Sequence, residues 1–235
     1  MSLNGRSVLI SGANRGIGRA MALQFAEIQA RVLVGSRNLP DGVAVASELT
    51  KQGYDAIAVE LDVADDESVA KLSRNLEQRA IAVDVLVNNA GVFFDKDAAT
   101  LDLGWEAFEK TLKVNLAGAI RLCRAFIPGM IKRHWGRVIN VSSQLGQLAS
   151  PGGQWATYRL SKTALNAYTK ILAEEVREHG VLVNTMCPGW CRTRMGGENA
   201  PLTAEDGART AIFLAELPDK GPTGKFWESC KEIQW

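Results

Sequence analysis

Val8-Leu9-Ile10-Ser11-Gly12-Ala13-Asn14-Arg15-Gly16-Ile17-Gly18 is a short apolar run that stops at a glycine-spaced loop and passes straight into a helical pattern. A glycine-rich loop gains meaning from that placement, between a strand and a helix. Gly12 suits a tight turn. Gly16 lets backbone approach a bound pyrophosphate, and Gly18 lets the helix pack closely on the strand. The free N–H groups at the helix start then face phosphate oxygens. Asn14, Arg15 and Ile17 fill the loop between the glycines and fall within the same expected site.

Beyond this loop the chain alternates strand and helix. Strands are expected at 8–10, 31–35, 55–61, 83–87, 137–141, 181–186 and 224–227. Helices are expected at 17–29, 65–79, 105–132, 157–179 and 204–217. Each strand is a continuous apolar run rather than an alternating one, as in a parallel sheet covered on both faces. The expected fold is therefore α/β: a single-domain Rossmann fold, a doubly wound parallel seven-stranded sheet with helices on both faces. No linker, repeat or low-complexity segment divides it, so residues 1–235 read as one domain.

Composition narrows the function. The chain has 235 residues, of which 46% are apolar, and a net charge of +1. That is ample for one large core and leaves no basic face for nucleic acid or acidic membrane surfaces. No signal-peptide pattern is read in the short, polar stretch 1–6, and no uninterrupted apolar run reaches a membrane-spanning length. Cys123, Cys187, Cys191 and Cys230 form no C-x-x-C pair, and the histidines are His134 and His179 alone. No metal site is expected, and the cysteines fit a reducing cytoplasm. Cys187 stands apart because it directly precedes Pro188-Gly189.

The second strand ends Gly35-Ser36-Arg37. An NAD site commonly offers a carboxylate here to the ribose 2′-hydroxyl. This position instead offers a guanidinium, and Arg15 reaches toward the same place. Two arginines grip a 2′-phosphate that a carboxylate would repel. The expected cofactor is therefore NADPH/NADP rather than NADH. Further along, Tyr158 and Lys162 lie four residues apart and share a helix face. A nearby cation is expected to lower the phenol from its ordinary value of about 10 toward the working pH of a general acid. Ser142-Ser143 ends the fifth strand, where ligands of parallel sheets sit. A hydroxyl there holds a carbonyl as charge develops.

With these residues in place, the chain resembles the short-chain dehydrogenase/reductase family over nearly its whole length. The G-x3-G-x-G spacing is that family's variant. Asp62-Val63 is similar to its adenine-contacting pair, and Asn89, Ala90 and Gly91 fall in its N-N-A-G motif. Pro188, Gly189 and Thr193 resemble the stretch that meets the nicotinamide carboxamide. The resemblance implies a catalytic set of Asn115, Ser143, Tyr158 and Lys162, with Asn115 holding a water that links Lys162 to solvent and Lys162 also holding the nicotinamide ribose. It favours the second serine of the pair, although the gap to Tyr158 is two residues longer than is common, an expansion read at 149–154. Cys187-Pro188-Gly189-Trp190 and the C-terminal stretch are similar to the NADPH-dependent carbonyl reductases. Monomeric members of that group carry a helical insertion that this chain lacks. A homodimer or homotetramer through the helices beginning at Trp105 and Thr157 is therefore expected.

The implied reaction is hydride transfer to a small-molecule carbonyl substrate, with Tyr158 delivering the proton. Phe93, Phe94, Leu145, Trp155, Trp190 and Met195 would line an apolar pocket for ketones and aldehydes. Two other readings stand beside it. One is an NAD(P)-dependent secondary-alcohol dehydrogenase running the same chemistry backwards. The other is a non-catalytic NADP sensor, against which the intact catalytic set argues.

Overall fold

A computed structural model describes residues 3–95, 99–149 and 152–235. Strands β1 (Ser7–Ser11), β2 (Arg31–Ser36), β3 (Ala56–Glu60), β4 (Val85–Asn88), β5 (Gly136–Val141), β6 (Val181–Cys187), β7 (Phe226–Glu228) and β8 (Lys231–Ile233) form one sheet. Their spatial order is β3-β2-β1-β4-β5-β6-β7-β8. Every pairing is parallel except the last, β7 with β8. The expected seven strands are present, and an eighth is added. Lys231–Ile233 is three residues long and mostly charged, the antiparallel edge of a hairpin rather than an apolar run.

The helices are α1 (Gly16–Glu27), α2 (Leu39–Lys51), α3 (Asp66–Gln78), α4 (Trp105–Leu112), α5 (Gly118–Lys132), α6 (Ala156–Val176) and α7 (Ala204–Ala215). Two cores flank the sheet. On one face Val8, Ile10, Val32 and Val34 meet Met21 and Phe25 of α1 and Leu214 of α7. On the other, Leu9, Leu33 and Leu86 meet Leu72 of α3, Phe126 of α5 and Leu172 of α6. Successive strand residues point to opposite faces, so a strand covered on both sides has no polar side.

Two expectations about the helices change. Helix α2 was not anticipated, and it covers β2 and β3. The expected continuous helix 105–132 is instead α4 and α5 joined by a π turn, Lys113–Ala117, closed by Gly118 N–H donating to the Lys113 carbonyl. By length and composition, Trp105–Lys132 is the one helical run among the described residues apolar enough to cross a membrane. Here Leu122, Phe126, Ile127 and Met130 spend that apolarity on the core. Positions 150 and 151 of the expected expansion lie outside the described residues.

Candidate active site

Strand order reverses between β1 and β4, and the cleft of a doubly wound sheet opens there, beyond the carboxyl ends of the strands. A cleft of about 550 Å³ lies at that point. Its wall includes Gly12, Asn14, Arg15, Gly16, Ile17, Gly18, Ser36, Arg37, Asp62, Val63, Asn89, Ala90, Gly91, Tyr158, Lys162, Pro188, Thr193 and Met195. Residues that follow five different strands, and two from helix α6, thus converge.

The glycine loop is shaped as a phosphate cradle. Gly12 and Gly16 have φ of +66° and +53°. A Cβ on Gly18 would lie 2.3 Å from the Gly12 carbonyl oxygen. Asn89 fastens the loop from behind, its Nδ2 donating to the carbonyls of Ser11 at 2.9 Å and Gly12 at 3.1 Å. Asn88 instead enters a buried chain, donating to Asn140, which donates to Thr169 on α6. The N-N-A-G stretch therefore holds the sheet centre together as well as the cleft wall.

Arg15 and Arg37 are both exposed at the rim, and neither guanidinium has a partner among the described residues. Residues not anticipated also line the cleft: Asn38 and Asp41 at the start of α2, with Arg192 and Arg194 after β6. Arg192 is occupied by the carbonyls of Ala200 and Pro201. Asp41 accepts a long bond from Asn14. In this segment the sequence pointed to Pro188, Gly189 and Thr193 for the cofactor and to Trp190 and Met195 for the pocket. The segment's approach to the loop shows in Thr193, whose methyl would sit 3.4 Å from a Cβ on Gly16.

At the other end, Lys162 is buried and donates to the Val141 carbonyl at 2.7 Å. Its Nζ lies 5.6 Å from the centre of the Tyr158 ring. Burial pulls the ammonium down to about 8. The Tyr158 phenol moves opposite to expectation. Burial pushes it up, the nearby Cys187 thiol adds to this, and a hydrogen bond with Ser143 offsets only part. Desolvation of the phenolate outweighs a lysine that is itself less readily charged.

Both serines stand at the end of β5. Ser142 lines the cleft and makes a long bond to the Lys162 carbonyl, 3.4 Å. Ser143 accepts from Leu145 N–H at 3.1 Å and bonds the Tyr158 phenol. Asn115 is buried in the π turn. Its Oδ1 accepts from Val92 N–H at 2.8 Å, while Nδ2 donates to the Val92 carbonyl and to Ser161 Oγ, each at 3.0 Å. Inserted π turns recur at functional sites, where they re-aim a side chain.

The apolar candidates divide. Phe93 stacks on the Tyr158 ring with centroids 4.4 Å apart and meets Trp155 edge-on. Leu145 sits on the turn after Ser143. Phe94 and Trp190 are largely exposed, Trp190 donating to the Gly196 carbonyl. Gly189, with φ +75°, packs under Leu202 and is not part of the wall. Cys187 is buried, its sulfur accepting from the N–H groups of Gln144 and Gly189.

Fold and site together define a dinucleotide-binding α/β oxidoreductase. The profile of the family described as short chain dehydrogenase matches residues 6–202. The chain belongs to this family, whose members bind a nicotinamide cofactor and act on carbonyl and alcohol groups. It is 33% identical to carbonyl reductase [NADPH] 1 of Sus scrofa, covering 100% of this chain and 96% of that protein. It is 36% identical to 3-oxoacyl-[acyl-carrier-protein] reductase FabG of Aquifex aeolicus (strain VF5), covering 96% of this chain and 86% of that one. Among solved structures, a gluconate 5-dehydrogenase from Burkholderia cenocepacia J2315 in complex with NADP and tartrate superposes with a TM-score of 0.86 at 27% identity, covering 96% and 94% of the two chains.

Proposed function

We propose that the chain is an NADPH-dependent carbonyl reductase that converts ketones and aldehydes to alcohols in the cytoplasm, acting as a homo-oligomer. One observation carries the reading. The Tyr158 phenol, bonded to Ser143, stands at one end of a cleft whose other end presents two arginines with no guanidinium partner among the described residues. The residues fit the dinucleotide: a glycine cradle without side chains for the pyrophosphate, and Arg15 and Arg37 for a 2′-phosphate. Similarity to a reductase named for NADPH and to a structure holding NADP supports the same choice.

When bound, the reduced nicotinamide supplies the hydride. The chain's own residues do the rest. Ser143 donates to the substrate oxygen and polarises it. Tyr158 gives its proton to that oxygen as charge builds. A phenol pushed up by burial keeps its proton at neutral pH, the form that reduction needs. Lys162, held against Val141, carries positive charge beneath the phenol and supports its developing negative charge. Phe93 and Trp155 give the site an apolar wall suited to aromatic or medium-chain carbonyl compounds. The gluconate dehydrogenase likeness favours a second reading, oxidation of a secondary alcohol by the same residues in reverse.

The experiment is NADPH oxidation against a panel of ketones, aldehydes and quinones, repeated with NADH and in the alcohol direction. Reduction with NADPH is expected to dominate. An Arg15→Ala/Arg37→Ala double variant is expected to lose at least about 30-fold in NADPH affinity, from two charge-assisted contacts, while NADH binding changes little. Equal loss for both cofactors, or faster turnover with NADH, would remove the assignment.

A further inference from the structure

We propose that Asp95 is a positioning residue for the proton donor, an inference that rests on Tyr158 being that donor. Helix α6 carries both Tyr158 and Lys162, yet it begins without a cap of its own. The residue at its start, Trp155, is left-handed, with φ +55° and ψ 39°, and supplies no side-chain acceptor. The first N–H groups of a helix need such a partner. They find it in a different element. Asp95, only 3% exposed, accepts from Thr157 N–H at 2.8 Å and makes a longer contact with Tyr158 N–H at 3.4 Å. Its other oxygen, Oδ1, is buried with no partner among the described residues. The carboxylate is therefore committed to the helix start, where negative charge is favoured.

Asp95 lies on a short strap that follows the cleft-wall residues Gly91 and Val92. The strap is fixed at consecutive points. Asn115 grips both backbone groups of Val92. Phe93 lies flat on the Tyr158 ring. Asp95 then takes the amides of the turn from which that ring projects. The strap thus ties the π turn to the phenol by its ring and by its backbone. Removing the carboxylate would release the first turn of α6, and the hydroxyl at the end of the Tyr158 side chain would wander by more than its reach to substrate allows.

The test combines exchange, binding and turnover in the full chain. Hydrogen–deuterium exchange over peptides spanning 155–162 reports the Thr157 and Tyr158 amides without any substrate. In Asp95→Ala, protection there is expected to fall about 30-fold and kcat at least tenfold, with NADPH affinity within twofold of the parent. Asp95→Asn keeps an acceptor but loses the charge, so protection is expected to fall about fivefold and kcat two- to fivefold. Unchanged protection in either variant would overturn the proposal. So would lost protection with kcat within twofold of the parent, or kcat and NADPH affinity falling together, which would mark a general structural defect. If Asp95→Ala does not fold, Asp95→Asn carries the same comparison. A parent protein that binds NADPH but reduces no carbonyl compound would sink the functional reading instead, and the exchange data would still judge the hold on the helix.

Discussion

Lys162 is 4% exposed, and burial draws its ammonium from 10.5 to about 8. That drop corresponds to roughly 3 kcal/mol of stability sacrificed at pH 7, where the folded chain must hold the buried charge. Between about 8 and 10.5 the folded lysine is already neutral while the unfolded one still binds its proton, so stability rises with pH across that window. Lys162→Met should therefore abolish reduction yet stabilise the fold at pH 7 by about 1–2 kcal/mol once the lost bond to Val141 is counted, read as a higher thermal midpoint. The gain should shrink as pH rises from 8 toward 10. A gain independent of pH in melting curves would mean better packing rather than relief of charge. Most of the residues that meet in this cleft were legible, because the glycine, Tyr–Lys and Ser–Ser spacings each tie a residue type to a strand end or a helix face; Asn38, Asp41, Arg192 and Arg194 carry no such spacing. The direction of the phenol's shift was not legible. It depends on how deeply Phe93, Cys187 and the α6 turn bury the ring, and no spacing encodes that. Asp95 was invisible for a similar reason, since its partners lie more than sixty residues away.

Helix α2 escaped the sequence reading because Pro40 and Gly42 look like breakers. In the fold Pro40 occupies the first turn, where its missing N–H costs nothing. Gly42 fits where a Cβ would meet Ser36 at 3.1 Å. Strand β8 is too short and polar to show as an apolar run. The π turn leaves no compositional mark, because Val114 and Leu116 continue the apolar pattern of a straight helix. Its energetic role can be measured at Asn115. That side chain satisfies the N–H and C=O of Val92, two backbone groups with no other partner among the described residues. Asn115→Ala should strand both, costing about 2–4 kcal/mol in urea denaturation. Asn115→Asp keeps the acceptor for Val92 N–H but turns a second carboxylate oxygen on the Val92 carbonyl in a buried site, and should be at least as destabilised as Asn115→Ala. Equal stability in all three proteins would show that the π turn holds the strap by some other means.

The alternation of apolar runs with 3.6-residue periods made the doubly wound sheet readable at the scale of the whole molecule, since parallel strands need crossovers and crossovers bury both faces. It did not reveal Arg137, whose side chain is 1% exposed and which is held by Asp219 and the Leu217 carbonyl. Nor does the inward pattern dictate what lies outside α4 and α6. There Trp105 is 69% exposed and stacks on Phe108, with Leu160 and Ile171 exposed on one side of α6 about three turns apart. Helices α4 and α6 pack against each other, so these residues belong to adjoining elements. A large aromatic in water forfeits the burial that its area would otherwise contribute. A self-complementary contact between two copies recovers that burial twice. The parent chain is expected to sediment as a dimer or larger at micromolar concentration. Trp105→Glu combined with Ile171→Glu should give monomers, with a melting temperature that no longer depends on concentration. Trp105 and Ile171 are not part of the cleft wall, so the monomeric variant should keep its NADPH affinity. A parent chain that sediments as a monomer would leave the exposed tryptophan without a second copy to cover it and end this proposal.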